Sequence, residues 1–310
     1  MNNEECIEII EKEENDSIFK VTRFLLFVCI LFLFGSMILV LIMPSIAEYI
    51  MQYVLIALPV IWFVFKNEKW SFRETFRFNK LKIRDVLILI GITISIQPFL
   101  NLMLIISQVL FGDAMGVLFE EAVDEPVLLL VFSMAITPAI CEELIMRGVV
   151  LHGSRGLSIW KASLLNGVLF GFFHMNFNQF SYTIFMGIIL AYVVLITNSI
   201  FAGMLIHFLN NFWAISSYIW PENNLLKLEE WVVNHIFTLA GIIIVVLSII
   251  VTFVLLKLLE KSNSDKKYVP DPQKQSNRVL EWPFWLIAGL FAFSSVLIML
   301  SVSLSKMTGI

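Results

Sequence analysis

The stretch PAICEELIMRG, residues 138–148, lies inside a long apolar run and carries Glu142, Glu143 and Arg147. If that run is buried in lipid, the whole chain is a membrane protein and these charges are out of place. Charged side chains inside a bilayer are costly and rare, and they mark working sites. The reading of this one segment therefore decides both the fold class and where the chemistry is sought.

Composition supports lipid. The chain has 310 residues, 59% hydrophobic and 15% charged. Soluble domains run about 45–50% apolar and about 25% charged. The excess is arranged in blocks near 24–43, 49–65, 86–111, 127–151, 162–177, 180–196, 200–216, 231–256 and 283–304. A spanning helix needs about 20 largely apolar residues. Helices also satisfy their own backbone groups in hydrocarbon. The predicted fold is all-α: a polytopic integral membrane protein of about nine transmembrane helices around a catalytic helical core.

The polar segments organise these blocks. Residues 1–20 form an acidic tail that does not resemble a cleaved signal peptide, which starts basic and turns apolar quickly. Residues 21–111 hold the first helices and a basic loop, 66–85; residues 127–216 form the core; residues 231–310 hold the last helices and a polar linker, 257–281. The linker sequence KSNSDKKYVPDPQKQSNR reads as flexible. Lys and Arg crowd into the loop after the second block, the turn with Arg155 and Lys161, and the linker, whereas 112–126 has five acids and no base. Cytoplasmic loops carry the basic excess. The expected location is a bacterial plasma membrane, with the N-terminus cytoplasmic and the C-terminus outside. The net charge of −4 does not suggest nucleic acid. Cys6, Cys29 and Cys141 give neither a metal spacing nor a disulfide framework.

Within the spans, Glu143 and Arg147 are four apart and share a helix face, so they can pair. Glu142 lies about 100° round the helix and is left for another partner. An interfacial ion pair with a snorkelling Arg147 is the alternative. Two later blocks carry further pairs: FGFFHMN, with Phe170 and His174, and HFLNN, with His207 and Asn211. The helical rise puts Glu142, His174 and His207 in the inner to middle part of the bilayer, near enough in depth to meet around one wet cavity.

A carboxylate and a histidine around one water can make a nucleophile. A second histidine with an amide can donate to a developing oxyanion. Glu142, His174 and His207 could instead hold a divalent metal such as zinc. Sequence alone leaves both routes open. Zinc-helix and serine-elbow signatures are absent. Cys141 is a weak thiol candidate, because a buried thiol is normally inert. Gln97 and Asn101 read first as packing residues, Asn166 equally as a packing residue or as one that orients His174, and His152 and His235 as interfacial ones.

The ordered set EELIMR, FGFFH and HFLNN resembles the EExxxR, FxxxH and HxxxN/D motifs of the CPBP family. That family comprises type II CAAX prenyl endopeptidases and Abi-like enzymes of bacteriocin processing or immunity, and it is commonly labelled metalloprotease. The resemblance implies an intramembrane endopeptidase, with catalytic Glu142 and His174, an oxyanion site of His207 and Asn211, and support from Glu143 and Arg147. Its partners would be membrane lipid and a peptide or lipidated protein, a prenylated CAAX-type terminus being one option, with cleavage near the cytoplasmic side. A transporter or proton relay, or a catalytically silent scaffold, would use the same polar residues.

Overall fold

A computed structural model describes residues 17–112, 125–220, 224–271 and 279–308. Most of the acidic tail, with Cys6, most of the acidic loop after residue 111 and residues 272–278 of the linker lie outside the described residues.

The described chain is all helical. Its elements are α1 (Ser17–Ile42), α2 (Ala47–Lys66), the short α3 (Phe72–Phe76), α4 (Ile83–Phe111), α5 (Val127–Gly153), α6 (Ile159–Phe173), α7 (Phe177–Thr197), α8 (Ile200–Ile219), α9 (Asn224–Asn234), α10 (Leu239–Ser262) and α11 (Trp282–Thr308). Seven of these are long and apolar enough to cross a membrane, and α6 and the apolar part of α8 are shorter. Outward faces carry bare hydrocarbon: Leu41 is 83% exposed and Leu128 79%. Such faces need lipid rather than water around them.

α6 and α7 form a tight hairpin at the centre. A Cβ on Gly167 would meet the Ile184 carbonyl at 2.7 Å, and one on Gly187 would meet Gly167 Cα at 2.8 Å. Small residues let the two backbones touch, which is how helices associate where no water drives them together. The turn between them falls earlier than the apolar pattern predicts. α6 stops at Phe173, Met175 takes φ 51°, and the Asn176 side chain accepts from Asn178 N at 2.8 Å to cap α7. His174 therefore sits at a helix end, not inside a span.

The expected span 231–256 is also corrected. α9 ends at Asn234, and α10 starts at Leu239 behind a Thr238 cap whose hydroxyl accepts from Gly241 N at 3.3 Å. A Cβ on Gly241 would lie 2.2 Å from the His235 carbonyl, so the close joint requires glycine. α9 is a separate short helix.

The polar loops gather at one end of the bundle. Arg155 donates to the Glu74 carbonyl at 3.3 Å, Lys82 to the Ser262 carbonyl at 2.9 Å, and Lys266 to the Thr197 carbonyl at 3.1 Å. The Tyr268 hydroxyl lies 3.1 Å from the Arg155 carbonyl and 3.0 Å from that of Leu157. The first half of the linker is thus fastened to the core. Burial pushes the Arg77 guanidinium, at this same end, down to about 10.

Candidate active site

α5 carries the first carboxylates near its own midpoint. It is regular over Thr137–Glu143 and widens into π turns at Phe132–Ile136 and Leu144–Val150. Such turns recur at functional sites. Arg147 and Glu143 are both fully buried, with Nη1 and Oε1 2.8 Å apart. Arg147 also donates to the Gly187 carbonyl at 3.2 Å and stands 4.4 Å over the Phe170 ring. The alternative of a snorkelling interfacial pair is therefore wrong: the pair is internal and joins α5, α6 and α7.

Glu142 points elsewhere, as the helical spacing predicts. Its Oε2 is 3.9 Å from Nε2 of His174 and 3.9 Å from Nε2 of His207. The other nitrogen of each ring is already bound. His174 Nδ1 is 2.8 Å from the Phe170 carbonyl, and His207 Nδ1 is 2.9 Å from Oε1 of Glu143. Neither oxygen can donate, so each Nδ1 carries the hydrogen and each Nε2 is turned toward Glu142. Phe170 meets both imidazoles edge-on, at 4.6 Å for His174 and 5.7 Å for His207.

Asn211 comes to the same cavity. Its Nδ2 donates to the Met134 carbonyl at 3.1 Å, and its Oδ1 lies 3.5 Å from Asn210 Nδ2. Gln97 continues the chain by donating to Asn210 Oδ1 at 3.3 Å. Asn166 instead donates to the Met146 carbonyl at 2.8 Å, which holds the π turn. His152 packs on Trp70, and His235 stacks on Trp231. Cys141 is buried and free, and it is not among the described residues of the cavity wall.

The cavity is about 650 Å³. Glu142, His174, His207 and Asn211 all line it, together with Gln97 and Asn101. Its outer wall comes from Glu48, Gln108 and Gln179, and α9 contributes Glu229 and Glu230. Asn101 Nδ2 and Trp213 Nε1 each donate to Glu229 at 2.6 Å. Two features escaped sequence reading. Gly203 is needed because a Cβ there would lie 2.3 Å from Glu143 Oε2. Glu229 falls in the polar segment before the expected span 231–256, and the signals that a separate helix carries it are the Thr238 cap and Gly241.

Residues 124–213 match the family model described as Type II CAAX prenyl endopeptidase Rce1-like. This match supports a CPBP-family intramembrane protease. No curated protein and no solved structure matches the chain. At the family level the match supports a CAAX-type intramembrane endopeptidase.

Metal fits this site poorly as the side chains stand. Two donors sharing a tetrahedral zinc at about 2.0–2.1 Å lie about 3.4 Å apart. The 3.9 Å spacings are wider. Among the described residues, no three His, Cys, Asp or Glu side chains gather closely enough to hold a metal ion. The spacing suits a water molecule, which bridges polar atoms about 2.8 Å away on each side.

Proposed function

We propose that the protein hydrolyses a peptide bond in a membrane-associated peptide or lipidated protein, using water activated by Glu142 and His174. The observation that carries this reading is the position of Glu142 Oε2, 3.9 Å from both imidazole Nε2 atoms at the wall of the cavity.

The chemistry follows from what stands behind each ring. His174 is backed by a neutral carbonyl, so its Nε2 lone pair accepts a hydrogen from water. Glu142 takes the other water proton as the oxygen attacks the carbonyl carbon. The C–N bond then breaks, and Glu142 returns that proton to the leaving amine. His207 is backed by the Glu143 carboxylate, which offsets positive charge on the ring. That suits an Nε2–H donating to the oxyanion, beside an amide hydrogen of Asn211. Such general acid–base help is worth about 10²–10⁴-fold, and one oxyanion donor about 10²–10³-fold. Arg147 and Glu143 position His207 and do not touch the substrate.

The test uses purified Glu142→Gln, His174→Ala and His207→Ala proteins against wild type. Each is expected to stay folded and lose cleavage. Wild-type turnover in any one removes that residue from the mechanism. Substrate flux into liposomes without cleavage would favour the transporter reading.

A further inference from the structure

The expected cut near the cytoplasmic side conflicts with the direction of the cavity. α2 runs from Glu48 at the cavity wall to Lys66, and α4 runs from Ile83 at the basic end to Gln108 at the cavity wall. α6 leaves the basic end at Ile159 and delivers His174 at its far end. From Glu142 the cavity thus extends away from the Arg155, Lys82 and Lys266 loops, toward the end where Tyr49 donates to Glu125 at 3.0 Å. α9 lies across this outer part.

The charge of the wall points the same way. Glu48, Glu142, Glu229 and Glu230 line the cavity, and no Lys or Arg does so among the described residues. Glu229 accepts from the amide of Asn101 and the indole of Trp213, two neutral donors that do not offset its charge. A substrate ending in a free carboxylate would meet the like charge of these four glutamates along the wall. A cationic segment would be drawn in.

Basic loops stay on the cytoplasmic side. We infer that the active-site cavity opens on the extracytoplasmic face and receives a segment bearing lysine or arginine from that side, with Glu229 setting the charge preference. This rests on the protease reading above for its chemistry, but the sidedness stands independently.

The sidedness test places single cysteines in a Cys6→Ser background, where Cys29 and Cys141 are buried. Exposed Glu48→Cys and Glu230→Cys mark the cavity end, and exposed Lys267→Cys marks the basic end. A membrane-impermeant maleimide applied to intact bacterial host cells is expected to label the first two and spare the third. The opposite pattern overturns the inference. The chemistry test uses quenched-fluorescence decapeptides with lysines or glutamates flanking the central bond, offered to detergent-solubilised protein and to intact cells. Wild type is expected to prefer the lysine peptide by about tenfold in both settings, Glu142→Gln to cut neither, and Glu229→Gln to narrow the lysine-to-glutamate ratio. Cleavage by solubilised protein alone overturns the sidedness. Cleavage without a lysine preference overturns the charge assignment. Maleimide labelling as expected with no cleavage by wild type supports the sidedness and overturns the protease reading instead.

Discussion

Nδ1 of His207 lies 2.9 Å from Oε1 of Glu143, the same oxygen that takes Nη1 of Arg147 at 2.8 Å. One buried carboxylate therefore holds an arginine on its own helix and an imidazole from α8. The adjacent glutamates have opposite jobs: Glu143 is locked into structure, and Glu142 faces the cavity.

Glu143→Ala leaves Arg147 buried without its ionic partner. Breaking such a pair costs about 3–5 kcal/mol. Thermal unfolding in detergent should show a large loss for Glu143→Ala, whereas Glu142→Gln should unfold close to wild type and be inactive. Equal stability for both variants would refute the division of roles.

Gly203→Ala puts a methyl group 2.3 Å from Glu143 Oε2. Overpacking of this kind costs about 1–3 kcal/mol. The displaced carboxylate should also turn His207 away, lowering kcat more than it raises KM. Steady-state kinetics with unchanged kcat would show that the site tolerates the shift.

Phe170→Leu keeps an apolar side chain but removes the ring under Arg147 and beside both imidazoles. The lost cation–π contact is worth about 2 kcal/mol when desolvated. Both the unfolding temperature and the turnover rate should fall. Retained turnover would mean that the ring is only filler.

The 3.9 Å donor spacings predict turnover that survives chelation. Metal analysis of pure, active protein should find no stoichiometric zinc, and a strong chelator should leave the rate unchanged. A stoichiometric metal whose removal stops turnover would move Glu142, His174 and His207 into a metal-binding role.

The amino-acid sequence by itself determined the helical membrane class, the pairing of Glu143 with Arg147 and the separate direction of Glu142. All three follow from composition and from spacing along a single helix, which covalent geometry sets. That the basic loops share one end of the bundle was legible too, because it depends only on the order of spans and charges. The early stop of α6 was missed, since the cap at Asn176 is a small local signal against a strong apolar run. Only the tertiary structure decided that His174 and His207 both turn Nε2 toward Glu142, that Gly203 makes room for Glu143, that α9 brings Glu229 to the cavity, and which end of the bundle the cavity faces. These contacts join helices far apart in the chain. They depend on how side chains fill the space between helices, and no periodicity within one helix records that.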